Sequence, residues 1–336
     1  MRVLIGVVIG ADYPIATSMI TEFSNTRQRA FSIGFIAAMW YVGATCADLV
    51  GYWLYDVEGG WRWMLGSAVI PCILILIGRF DLPESPRWLL RKGRVKECEA
   101  MMIKLFGEPV VFDEEAPQET HFLQLFNRRH FPFVLFVAAI WTCQVIPMFA
   151  IYTFGPQIVG LLGLGVGKSA ALGNVVISLC FMLGCIPPMF WLNSAGRRPL
   201  LIGSFIMMTL ALAVLGLIPD MGAWLVVVAF AVYAFFSGGP GNLQWLYPNE
   251  LFPTDIRASA VGVIMSLSRI GTIVSTWALP IFITKYGINS VMLMGAGISL
   301  IGLLVSIAFA PETRGLTLTQ TSQMTIRRKP MSRASG

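Results

Sequence analysis

The sequence predicts an all-α membrane protein, a bundle of nine transmembrane helices. Two compositional facts and one pattern carry that reading. Of 336 residues, 56% are hydrophobic and 12% charged, against about a quarter charged in an average soluble domain. Mean hydropathy is +0.72, which is more apolar matter than one water-facing fold can bury. Apolar stretches of about 20 residues, the length that crosses a bilayer, recur along most of the chain. A disulfide-stapled secreted domain, a disordered chain and an ordinary cytosolic enzyme are excluded.

The spans fall at roughly 2–20, 30–55, 62–80, 132–154, 170–192, 199–218, 223–247, 259–284 and 289–309. Pro71, Pro147, Pro187, Pro188 and Pro240 sit inside them. Prolines are tolerated in membrane helices because neighbouring helices satisfy the freed backbone groups. The first span shares Arg2 and a short apolar run with signal peptides, but Asp12 interrupts that run. The long polar interval, 81–131, holds a basic helical stretch from Ser85 to about Phe106 and the acidic run Asp113-Glu114-Glu115. That stretch reads as a solvated amphipathic helix on the membrane face.

The net charge of +6 is set by topology, not by nucleic acid. No basic stripe interleaved with aromatics, as a single-strand binder needs, is present. Arg27, Arg29, the lysines and arginines from Arg79 to Arg129, Arg197, Arg198, Arg257 and those from Arg314 to Arg333 fall on one side of the membrane. The other side receives Arg62, Lys168 and Lys285. The positive-inside rule makes the first side cytoplasmic, with the C-terminus inside and Met1 outside. The six cysteines have no zinc-like spacing, and all but Cys98 fall in apolar segments, as small buried hydrophobes do. No metal site and no cofactor are expected. His121 and His130 both lie in the central loop, and no nucleophile–base arrangement points to an enzyme.

An internal repeat organises the chain. Glu22 and Glu250, Arg29 and Arg257, and Pro83 and Pro311 are each 228 residues apart, and each motif follows a span. Two halves related by a parallel repeat are a transporter architecture. The domains read as a partial N-terminal half, 1–80, with three spans; a central cytoplasmic loop, 81–131; a C-terminal half, 132–310, with six spans; and a cytoplasmic tail, 311–336. By the same offset, three helices of the first half have no counterpart here.

Taken in order, Glu22 with Arg29, Pro83-Glu84-Ser85-Pro86-Arg87-Trp88-Leu89, Gly196-Arg197-Arg198-Pro199, Glu250-Leu-Phe-Pro253 with Arg257, and Pro311-Glu312-Thr313-Arg314-Gly315 resemble the major facilitator superfamily, in particular its sugar and other metabolite transporter family. The resemblance implies a bundle of twelve helices, of which these nine are similar to helices four to twelve. It implies a monomeric carrier in the bacterial inner membrane, its partners being the lipid bilayer, a small-molecule substrate and protons. Gly10-Ala11-Asp12-Tyr13-Pro14 resembles the signature of proton-coupled phosphate symporters, and Ser268-Arg269-Ile270-Gly271 the eleventh helix of organic-ion and phosphate carriers. Sugar porters usually show paired glutamines in helix seven, whereas Gln144 stands alone, and Asn193 occupies a place where the family commonly has Asp.

Charges inside a span cost roughly 2.5–3.5 kcal/mol at the helix centre on insertion scales. Asp12, Asp48 and Arg269 are therefore the first candidates. Arg269 stays ionised when buried and is held by hydration, by a carboxylate such as Asp48 or Asp12, or by an anionic substrate. Asp12 is the candidate for proton coupling or substrate contact, with Asp48 a second coupling candidate nearer the end of its span. A carboxylate in a dry cavity can have its pKa raised towards neutrality and so exchange a proton. Tyr13, Gln144, Asn242 and Trp245 complete the substrate-binding set, and Trp40, Tyr41, Tyr152 and Gln244 line the same expected cavity. Glu22, Arg29, Arg197, Arg198, Glu250 and Arg257 form a gating network at the cytoplasmic helix ends. The expected function is proton-coupled uptake of a small anionic metabolite by alternating access. A sugar carrier and a non-transporting remnant are the alternatives.

Overall fold

The computed structural model describes residues 2–23, 29–80, 84, 89, 92–106, 122–161, 165, 167–218, 222–314 and 321. Among them there is no strand. The helices are α1 (Arg2–Phe23), α2 (Arg29–Trp53), α3 (Gly60–Ser67), α4 (Val69–Arg79), α5 (Val95–Phe106), α6 (Phe131–Leu161), α7 (Lys168–Ala195), α8 (Arg197–Leu217), α9 (Ala223–Leu251) and α10 (Thr254–Phe309), with a short 3-10 turn at Phe122–Phe126. Among the described residues, seven helical runs are long and apolar enough to cross a membrane.

The predicted spans map onto these elements with three local differences. The third is built from α3 and α4, which meet at Ala68. The eighth and ninth are joined in the 56 residues of α10, which as one straight rod would run about 84 Å, far beyond a hydrocarbon core of about 30 Å. Gly287, at φ 78° and ψ 168°, breaks it into arms 254–286 and 288–309. The amphipathic stretch expected from Ser85 is helical over Val95–Phe106.

Lipid-facing and core-facing surfaces are both apolar. Ile73, Leu74, Ile75, Leu76 and Ile77 of α4 are all exposed, a surface that suits bilayer hydrocarbon or a further apolar helix. The core is aromatic, with Trp141, Phe181, Phe205, Phe230 and Tyr233 each fully buried. Cys143 and Cys185 are buried as expected, but Cys46 and Cys72 are exposed, and Cys98 outside the spans is buried beside Leu89.

The helices that position the site pack closely. α2 and α7 run antiparallel side by side. The Phe31 and Phe190 rings lie 5.6 Å apart, Tyr41 stacks on Phe181 at 5.9 Å, and Lys168 bonds Asp56 at 2.5 Å. α7 meets α9 where two glycines oppose each other. A Cβ on Gly184 would stand 2.1 Å from the Phe235 carbonyl oxygen, and one on Gly238 would stand 2.2 Å from the Gly184 oxygen. Small residues let membrane helices approach backbone to backbone. Gly184→Val is therefore expected to cost about 1–3 kcal/mol or more, read as a lower midpoint of thermal unfolding in detergent. An unchanged midpoint would contradict this packing.

Candidate functional site

Four helices enclose a central cavity of about 30 Å³, roughly a water molecule's share of liquid volume. α2 supplies Ala37, Trp40 and Tyr41; α6 supplies Trp141, Val145, Met148 and Phe149; α9 supplies Gly241, Gln244 and Trp245; and the first arm of α10 supplies Arg269. On α2 and α6 these residues recur at three- and four-residue steps, so each helix presents one face.

The wall is aromatic. Trp40 meets Phe149 at 6.1 Å and Tyr152 at 5.6 Å, and Trp141 meets Trp245 edge-on at 4.8 Å. The Arg269 guanidinium carbon lies 5.0 Å from the Phe149 ring centre, where a π face attracts a cation. Gln144 is wholly buried. Its Nε2 donates to Ser237 Oγ at 2.9 Å and to Met148 Sδ at 3.3 Å, and the Tyr41 hydroxyl donates to the same sulfur at 3.4 Å. Among the described residues, Gln144 Oε1 and Gln244 Oε1 are buried and accept no hydrogen bond. Buried acceptors without partners are rare. Of the two, Gln244 lines the cavity, where its oxygen is available to a polar guest.

Of the sequence candidates, Arg269, Trp245, Trp40, Tyr41 and Gln244 meet in this cavity, with Gln144 one layer behind. Asn242 turns elsewhere: its Nδ2 donates to the Cys185 and Gly238 carbonyls at 3.0 and 3.1 Å, pinning α9 to α7. Asp48, half-buried on α2, accepts a hydrogen bond from Ser178 Oγ of α7. The side chains of Asp12, Tyr13, Glu22, Arg29 and Asn193 lie outside the described residues. Trp141, Met148, Phe149, Ser178 and Ser237 are additions. The three- and four-residue spacing of Trp141, Val145, Met148 and Phe149 around Gln144 was the signal available for the α6 members.

Where the start of α8 meets the end of α9, the charged motifs form a brace. Arg197, at the start of α8, bonds Glu250 near the end of α9 at 2.7 Å. Thr313 Oγ1 donates to the other Glu250 oxygen at 2.5 Å. Glu312 accepts the backbone N–H groups of Arg197 and Arg198 at 3.1 Å each, which places an anion on a helix N-terminus, where the dipole favours it. Arg198 Nη2 donates to the Ile307 carbonyl at 2.9 Å and Arg257 Nε to the Phe252 carbonyl at 3.3 Å. Of the predicted network, then, Arg197 and Glu250 pair directly, while Arg198 and Arg257 take main-chain oxygens. Glu312 and Thr313 are members that spacing alone did not assign.

Helical runs long and apolar enough to span a bilayer, packed around a small polar and aromatic cavity, define a multi-spanning membrane protein. Over residues 1–325 the chain matches the family described as Sugar (and other) transporter. YaaU of Escherichia coli (strain K12), a chain named for metabolite transport, is 89% identical over 331 residues, covering 98% of this chain and 75% of YaaU. The inner membrane metabolite transport protein YgcS of the same strain is 34% identical over 321 residues, 95% of this chain and 71% of YgcS. The solved structure of the proton:xylose symporter XylE, from E. coli, bound to 6-bromo-6-deoxy-D-glucose aligns with a TM-score of 0.76 at 20% identity, over 91% of this chain and 69% of that one. That likeness shows the fold. This chain belongs to the sugar (and other) transporter family, and it is a transport protein, not an enzyme.

Proposed function

We propose that the protein carries a small anionic metabolite, an organic acid or phosphate, into the cell together with protons. The observation that carries this reading is Arg269, a permanent cation in the wall of the central cavity. Low dielectric strengthens its pull on an anion, and its planar fork matches a carboxylate or phosphate. The cavity holds about 30 Å³ in this conformation, so admitting such a guest needs the α2 wall to move relative to α6, α9 and α10. Rocking of two halves about a central site is the motion such folds use. The halves in this reading are 1–80 and 132–310, joined by a cytoplasmic loop, with the tail 311–336 also cytoplasmic, in a bacterial inner membrane and as a monomer.

Proton coupling is assigned to Asp12 and Asp48. Asp48 bonds across the seam between the two halves, to Ser178. An ionised carboxylate can only accept there, whereas a protonated one can also donate, so a proton on Asp48 alters the contact that holds α2 to α7. Asp48→Asn is expected to keep substrate exchange in proteoliposomes but lose acceleration by an inward proton gradient. Gradient-driven uptake equal to wild type would remove Asp48 from the coupling, and the same comparison on Asp12→Asn tests the other carboxylate.

A neutral sugar is the second reading, favoured by the buried amide acceptors of Gln144 and Gln244, which suit substrate hydroxyls. Uptake of labelled phosphate, organic acids and a pentose, with and without an uncoupler, separates the two. Saturable, uncoupler-sensitive uptake of the pentose alone overturns the anionic reading.

A further inference from the structure

A second cavity, of about 80 Å³, lies on the opposite face of α6 from the central site. Pro147, Ala150 and Ile158 of α6, Leu212 of α8, Leu279 of the first α10 arm and Met292 of the second are among the residues that line it. Its lining is apolar apart from Ser275, whose Oγ is bonded to the Thr272 carbonyl at 2.9 Å. The void has a mechanical cause. α6 carries Pro147 and Pro156 and is kinked at Phe154, at φ −118° and ψ 16°, while the first arm of α10 carries Pro280, so the facing helices diverge from regular packing here. Water gains nothing in such a space, since a buried water needs two to four polar partners.

We infer that this cavity is a binding site for the end of a lipid acyl chain. Three observations commit it to that occupant. The cavity opens between the two arms of α10, where Met294 at its rim is 44% exposed, and in a spanning bundle that surface faces bilayer hydrocarbon. Its depth also fits. Leu279 and Gly295 lie eight residues either side of the Gly287 turn, about 12 Å along the helices, close to the half-thickness of about 15 Å where the tails of one leaflet end. Its volume is roughly half that of the about 150 Å³ apolar cavity that takes benzene, enough for the last few carbons of a chain and not for a headgroup. A tail seated there supports the kinked part of α6 whose other face presents Val145, Met148 and Phe149 to the central cavity.

The test uses the full chain in proteoliposomes made with a phospholipid that carries a diazirine at the end of its acyl chain. After irradiation, mass spectrometry of peptides is expected to find adducts on Ile158, Leu212 and Met292, each at most 3% exposed, as well as on Leu304 and Ile77, 58% and 60% exposed. Ala150→Phe, which fills the cavity from α6, and Ala278→Leu, which fills it from α10, should each lose the buried adducts and keep the exposed ones. Wild-type adducts confined to Leu304, Ile77 and other exposed positions overturn the proposal. Buried adducts that survive both fillings overturn it equally.

Discussion

Arg269→Ala is expected to raise the half-saturation concentration for an anionic substrate by about tenfold to a hundredfold while the protein still inserts and folds. A hydrogen bond to a charged group is worth about 1.5–3 kcal/mol, and each 1.4 kcal/mol is a factor of about ten in affinity. Folding should survive because an arginine in a span opposes insertion by roughly 2.5–3.5 kcal/mol at the centre. Removing it relieves that cost and forfeits, among its contacts, the one with Phe149, at 5.0 Å. Arg269→Lys keeps the charge but loses the planar fork, so it should fall between wild type and alanine. Initial uptake rates over a range of substrate concentrations, normalised to protein in the membrane, make the measurement. Wild-type half-saturation in Arg269→Ala would remove the residue from the substrate site.

That Arg269 was visible in the sequence and Phe149 was not has one physical reason. Lipid is as apolar as a protein core, so the outward face of a membrane helix carries no polar pattern to mark it. Val145 and Phe149 line the central cavity while Ile146 and Ala150, their chain neighbours, line the opposite one, and hydropathy does not separate the two sets. Only side chains that are costly in hydrocarbon stand out, and of these Arg269, Gln244 and the Asp48 contact with Ser178 do face neighbouring helices. Asn242 shows the limit of that logic. It is as buried as Gln144, at 1% against 0% exposed, yet it spends its donor on the backbone of α7. A polar residue in a span marks a partner without saying whether the partner is substrate or helix.

The order of the apolar helices was legible because length and apolar content alone set it; among the described residues seven runs pass that test where nine spans are expected, the eighth and ninth forming one run in α10. Kinks were less so. Pro147 in α6 and Pro240 in α9 read as tolerated inside their spans, and the non-helical backbone of α6 falls at Phe154, two residues before Pro156. Where a proline bends a helix depends on which neighbours re-satisfy the freed carbonyls, and that is tertiary information. The 228-residue register pointed to the cytoplasmic motifs, but not to their partners. Arg197 and Glu250 are 53 residues apart and Glu250 and Thr313 63 residues apart, and sequence spacing has no access to pairs brought together by three helix ends.

Glu250→Ala is expected to be the most destabilising single change in the brace between α8 and α9. The Arg197 and Glu250 side chains are 7% and 12% exposed. Deleting one partner of a buried pair costs about 3–5 kcal/mol, because the remaining charge is left desolvated. Glu250 also holds Thr313 through its second oxygen at 2.5 Å, and its carbonyl accepts Thr321 Oγ1 at 2.5 Å. The brace thus joins α8, α9 and the chain after α10, so its loss should loosen these elements before it changes how they meet α2. Glu250→Gln retains an acceptor for Arg197 and a group within reach of Thr313, and should recover part of the loss. Thermal unfolding in detergent is the direct readout, with a reactive cysteine on α9 near the brace reporting local opening. If Glu250→Ala melts with the wild type but its substrate uptake rate changes, the pair acts as a gate between conformations and not as a structural brace.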